Sequence, residues 1–132
     1  MKSYQKLIKG HQLIKDSLDD LESYQFTDRN LVKAMAVLKS YTLIHLVDEK
    51  KLLFPKLNNE RLNNPLIAKA MKIIETSKKQ ANEVLVDFFD RFKSGEMDKA
   101  EFERELSKIS IIWTNLMKEE EAFLYKFIAP KT

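Results

Sequence analysis

Helix-breaking residues are almost missing from this chain, which has 2 glycines and 3 prolines in 132 residues. In a helix interior glycine costs about 1 kcal/mol and proline about 3 kcal/mol relative to alanine. Their scarcity leaves long stretches free to stay helical. Pro55 and Pro65 bracket a segment rich in Asn and charge, and Gly95 lies in the stop Lys93-Ser94-Gly95-Glu96. Between these marks apolar residues recur three and four apart, the spacing of helices with one face in a core. No strand pattern competes. The sequence therefore predicts an all-α protein, with residues 1–132 forming a single domain. Four helices joined by short turns would run up-down-up-down as a four-helix bundle.

Helix A is expected from about Ser3 to Tyr24, with Tyr4, Leu7, His11, Ile14, Leu18 and Leu21 inward. Thr27 is the expected cap of helix B, with Asp28 in its first turn. Helix B should run to Phe54 and stop at Pro55, its seam reading Leu31, Ala34, Leu38, Tyr41 or Thr42, His45, Glu49 and Leu52. The segment from Pro55 to Asn64 reads as a loop. Asn64 with Pro65 opens helix C, which reaches Phe92 with Leu66, Ala70, Ile73, Ser77, Ala81 or Gln80, Val84 and Phe88 inward. Asp98 and Glu101 form a capping box for helix D. That helix is expected to reach Ile128 with Phe102, Leu106, Ile109, Ile112 or Trp113, Leu116, Glu119, Phe123 and Phe127 inward.

Composition removes several classes of function. Without cysteine there is no disulfide, iron–sulfur cluster, thiolate zinc site or cysteine nucleophile. No apolar run approaches the ~18 residues of a membrane span, and no apolar signal region follows Met1, so a cytoplasmic location without a membrane partner is expected. The net charge of +3 comes from basic residues interspersed with acidic ones, without a basic stripe carrying aromatics, so nucleic acid is not an expected partner. No glycine-rich phosphate loop or serine–histidine–aspartate spacing is present.

The informative residues are polar ones in apolar register. His11 falls on the seam of helix A, His45 and Glu49 share one face of helix B four residues apart, and Glu119 falls in the register of helix D. His11 lies about eight residues into helix A. His45 and Glu119 each lie about nine before the end of theirs, so all sit ~12 to 14 Å from one end of the bundle. Two imidazoles and two carboxylates meeting there would need a compensating cation. Imidazole nitrogen with carboxylate oxygen suits iron, manganese, zinc, nickel or copper. Because Glu119-Glu120-Glu121 are consecutive, the choice between Glu119 and Glu120 as the inward carboxylate is open. The alternatives are a pair of core histidines and surface glutamates.

His45-Leu46-Val47-Asp48-Glu49 followed by Leu53-Phe54-Pro55 resembles the second-helix motif of hemerythrin-like cation-binding domains. His11 resembles the family's first-helix histidine, and Asn115-Leu116-Met117-Lys118-Glu119 before Phe123-Leu124-Tyr125 resembles its fourth-helix motif. The resemblance spans the chain. The His45–Glu49 and Asn115–Glu119 segments also echo each other, with Asn in place of His. The family's two histidines on helix C are absent, where Glu75, Thr76, Ser77 and Gln80 stand near the expected depth, and its histidine on helix D is Asn115. The resemblance thus implies an incomplete centre in which His11, His45, Glu49 and Glu119 keep one metal and the neighbouring position has lost its histidines. Iron, as one or two ions, is the implied cofactor, and a small diatomic molecule is an implied ligand. The implied roles are sensing, storage or handling of oxygen, nitric oxide or iron. A metal-free bundle serving as an interaction module is the other reading. An enzymatic, mononuclear iron oxygenase-like role is the least supported, for lack of a substrate pocket. Phe89 or Trp113, if outward, would mark a homodimer surface. Tyr41, one turn before His45, would be a partner of the site or a core residue.

Overall fold

The computed structural model describes residues 2–129, and among these the protein is all-helical without strands. Helices α1 (Lys2–Ser23), α2 (Leu31–Leu52), α3 (Phe54–Arg61), α4 (Pro65–Lys93) and α5 (Lys99–Phe123) are followed by a 3-10 turn at Tyr125–Phe127. No helix among the described residues is long and apolar enough to cross a membrane.

The two N-terminal helices follow their sequence periodicity. Helix α1 buries Leu7, His11, Ile14, Leu18 and Leu21, and α2 buries Leu31, Met35, Leu38, Thr42, His45 and Glu49. Met35 takes the place expected for Ala34, which is half-buried. The start of α2 differs from expectation. The carboxylate of Asp28 accepts the Asn30 N–H at 2.8 Å, an Asx turn that begins the helix at Leu31 without a Thr27 cap. Asn64 caps α4 as expected, accepting from the Leu66 N–H at 3.0 Å, and Asp98 makes one half of the expected capping box of α5, accepting from the Glu101 N–H at 2.8 Å. The Glu101 carboxylate meanwhile pairs with Arg91 of α4, tying the α4–α5 connection together.

Three expectations are corrected. The segment after Pro55 is a helix, α3, because proline fits the first turn of a helix where no amide hydrogen is needed. Proline there ends α2 at Leu52 and starts a new helix, whose Leu57 enters the core with Leu53. Helix α4 is rotated by one residue from its expected register. It buries Ile67, Met71, Ile74, Lys78, Ala81, Leu85, Phe88 and Phe89, while Leu66 and Ile73 face solvent. Helix α5 stops at Phe123, so Phe123 and Phe127 are exposed while Leu124, Tyr125 and Ile128 are buried. Phe89 and Trp113 are buried as well and offer no dimer surface. The Trp113 indole N–H donates to the Ala81 carbonyl at 3.2 Å, which satisfies the one polar group that ring brings inside.

Helix α1 packs on α2 and α5, α4 packs on α5, and α3 lies against α2 and α4. Phe26 from the α1–α2 connection meets Phe92 of α4 at 6.1 Å and Phe102 of α5 at 5.4 Å, and Phe102 also meets Phe88 at 5.3 Å. These edge and tilted contacts close one region of the core with aromatic rings. Burying each leucine or phenylalanine of this core contributes about 1.5–3 kcal/mol. That apolar packing must offset the polar cluster described next.

Candidate metal centre

Four helices and the terminal 3-10 turn bring six polar side chains together inside the core. His11 comes from α1, His45 and Glu49 from α2, Lys78 from α4, Glu120 from α5 and Tyr125 from the turn. All are buried, with Glu49 and Tyr125 at 0% exposure. One ligand atom from each of His11, His45, Glu49 and Glu120 lies within 4.8 Å of the others, a spacing that could hold a metal ion.

The expected residues His11, His45 and Glu49 are in this cluster, and the fourth member is Glu120 rather than Glu119. Helix α5 steps Ile109, Trp113, Leu116, Glu120 along its buried face, so the last interval is four residues instead of three. Glu119 instead lines an outer groove of about 480 Å³ between α4 and α5, with Ser77, Gln80 and Asn115. Glu75 and Thr76 are also exposed. None of these residues joins the cluster, and Glu49 and Glu119, which echo each other in sequence, are not equivalent in space. Tyr41 is half-buried and makes no hydrogen bond to the cluster.

Both carboxylates are split between two positions. Glu49 Oε1 pairs with the Lys78 ammonium, while Glu49 Oε2 accepts from the Tyr125 hydroxyl at 2.6 Å and lies 3.5 Å from His45 Nε2. Glu120 Oε2 lies 3.3 Å from Lys78 Nζ, and Glu120 Oε1 lies 3.3 Å from His11 Nε2. The two acids therefore bridge a cation on one side and a pair of imidazoles on the other. No family model, curated protein or solved structure matches this chain. The likeness to hemerythrins consequently stands on the sequence motifs alone.

The environment sets the charges. Burial pushes the Glu120 carboxyl up, but its hydrogen bond to His11 and the Lys78 charge outweigh that and hold it below the usual carboxylate range. Burial lowers Lys78 against the pull of Glu120. Burial, then the proximity of His11, brings His45 down to about 3, so its imidazole is neutral at pH 7. Burial and the charges of Glu120 and Glu121 raise the Tyr125 phenol. The cluster thus holds the Glu120 carboxylate and a neutral His45 imidazole beside Lys78.

The donor set fits a transition metal in one specific respect. His11 Nδ1 lies 2.9 Å from Glu121 Oε2, and donation from Nδ1 would let Nε2 give its lone pair to a metal in place of its present hydrogen bond to Glu120. A carboxylate behind the imidazole is how metal-ligating histidines are usually oriented. His45 Nδ1 has no such partner and is buried without a hydrogen bond. It lies against Gly10, where a Cβ atom would overlap it. The glycine inside α1 is therefore space for the His45 ring.

Lys78, Gly10 and Tyr125 escaped sequence reasoning. Lys78 could have been found by testing the alternative register of helix C, in which it follows Ile67, Met71 and Ile74. Phe54 of α3 covers it, with the ammonium 5.6 Å from the ring centre, a cation–π contact. A small space of about 10 Å³, bordered by Phe54, Glu75, Lys78, Glu120 and Leu124, lies on this side of the cluster.

Proposed function

We propose that the chain is a hemerythrin-like, up-down-up-down four-helix bundle that binds one metal ion, iron foremost, through His11, His45, Glu49 and Glu120. The observation that carries this reading is the splitting of both carboxylates. In two-metal carboxylate centres such oxygens bridge two cations. Here one cation position is filled by the Lys78 ammonium and the other is faced by His11, His45, Glu49 and Glu120. The Lys78 ammonium would thus stand where a second metal's charge would be. Two imidazole nitrogens and two carboxylate oxygens suit a first-row ion such as ferrous or ferric iron. The bound metal would supply a site for a small diatomic molecule. The role is then sensing or handling of oxygen, nitric oxide or iron, in the cytoplasm, rather than reversible oxygen carriage by a two-iron centre. The burial of the cluster and the orientation of His11 by Glu121 support this reading.

Metal analysis after anaerobic loading with ferrous iron tests it. The expected result is one ion per chain, lost in His11→Ala and in His45→Ala. Substoichiometric iron that neither substitution changes would remove the reading.

A second reading is favoured by the Lys78 ion pairs themselves. With an internal ammonium between Glu49 and Glu120, the cluster can persist as a metal-free polar network within an interaction module. Thermal stability that responds to neither chelator nor added metal would select it.

A further inference from the structure

Tyr125 is the member of the cluster that a two-histidine, two-carboxylate centre leaves without a role. Its hydroxyl lies 3.0 Å from His11 Nε2, 2.9 Å from His45 Nε2 and 2.6 Å from Glu49 Oε2. One oxygen thus contacts three of the four residues proposed to hold the metal. The hydroxyl has a single proton, which the short contact assigns to Glu49. It can accept from an imidazole only where that Nε2 carries hydrogen. The same oxygen faces the Nε2 atoms of both imidazoles, the two nitrogens that point into the cluster.

The phenol also has nowhere to withdraw. Its ring is fully buried and stacks on His11 with centres 4.9 Å apart. Its backbone is held in the 3-10 turn, where the Ile128 N–H donates to the Tyr125 carbonyl at 3.0 Å. Metal–imidazole bonds are about 2.1 Å long. An ion bonded to both Nε2 atoms would therefore lie within bonding reach of the Tyr125 oxygen.

We infer that Tyr125 is a fifth ligand, joining His11, His45, Glu49 and Glu120 through its phenolate oxygen. This inference rests on the metal-binding reading above. On ligation the O–H bond breaks, the oxygen bonds to the metal, and the proton leaves to solvent without any change of oxidation state. A third anionic oxygen strengthens binding of ferric iron more than of ferrous iron, since hard trivalent ions prefer anionic oxygen donors.

The test is the visible spectrum of the full chain loaded with ferric iron. A phenolate bound to ferric iron gives a visible charge-transfer band, and resonance Raman excitation within it enhances tyrosine ring modes. Mononuclear ferric sites with only imidazole and carboxylate ligands lack both. The wild-type protein should show the band and the ring modes. Tyr125→Phe should lose them while still binding iron, and the triple variant Tyr4→Phe/Tyr24→Phe/Tyr41→Phe, which spares the cluster, should keep them. Stoichiometric iron without the band in wild type, or a band lost from the triple variant, overturns the assignment of Tyr125 and leaves the metal site standing. No iron bound by wild type removes both.

Discussion

Replacing Lys78 with methionine isolates what the internal ammonium does. The substitution keeps a flexible chain of similar size and removes the charge facing Glu49 and Glu120, whose side chains are 0% and 3% exposed. Breaking a buried ion pair by deleting one partner costs about 3–5 kcal/mol, because the remaining charge is left buried without compensation. The lower end applies here, since Glu49 keeps its bond from Tyr125 and Glu120 keeps its contact with His11. With about 2.1 cal/mol/K of unfolding entropy per residue, 132 residues lose roughly 11 °C of melting temperature for 3 kcal/mol. The assay is thermal and urea unfolding of metal-free protein at pH 7, then at lower pH. The loss should shrink as acid protonates the two stranded carboxylates. Divalent metal at a hundredfold excess over its Kd should return about 2.7 kcal/mol. A Lys78→Met protein within 1 kcal/mol of wild type at pH 7 would refute the reasoning. It would mean that the carboxylates do not depend on the ammonium.

Other outcomes follow from the same cluster. Gly10→Ala would ordinarily stabilise a helix by up to about 1 kcal/mol, but here the new Cβ overlaps His45 Nδ1, so urea unfolding should show a loss of stability instead. Because His45 is lowered to about 3 from 6.5, the unfolded chain binds one more proton between those pH values. Its contribution to stability is therefore present above pH 6.5 and lost as pH falls toward 3, by up to about 1.4 kcal/mol per pH unit. His45→Gln should flatten that part of the profile in pH-dependent unfolding. Glu119→Gln should leave stability and iron content unchanged, whereas Glu120→Gln should lower iron content, as measured by metal analysis of loaded protein.

The helices were legible because so little interrupts them, and α1 was legible in register because it carries one clear apolar stripe, whereas α2, apolar on several faces with Val32, Leu43 and Ile44 exposed, was placed by its two polar residues His45 and Glu49. His11, His45 and Glu49 could be placed inside on that basis. Helix α4 was ambiguous. Leu66-Ile67, Ala70-Met71, Ile73-Ile74, Val84-Leu85 and Phe88-Phe89 give two adjacent stripes of nearly equal apolarity, and packing chose the second. The chosen stripe contains Lys78, a residue type that is almost never buried unless paired. Only its partners on α2 and α5 justify the position, and those partners are remote in sequence. Glu119 and Glu120 are separated by a similar choice, since three-residue and four-residue steps after Leu116 are both helical. Tyr125 was hidden by the break after Phe123. Periodicity carried through that break puts Phe123 and Phe127 inward, whereas the 3-10 turn turns Tyr125 into the core. Pro55 misled in the opposite sense, because a proline ends one helix and equally well begins the next.

Anomalous diffraction at the iron edge, from crystals of iron-loaded protein, locates the ion itself. One peak is predicted per chain, about 2.1 Å from the Nε2 atoms of both His11 and His45, with Lys78 still lodged between Glu49 and Glu120. Two peaks, a peak elsewhere, or none would contradict the single-metal centre.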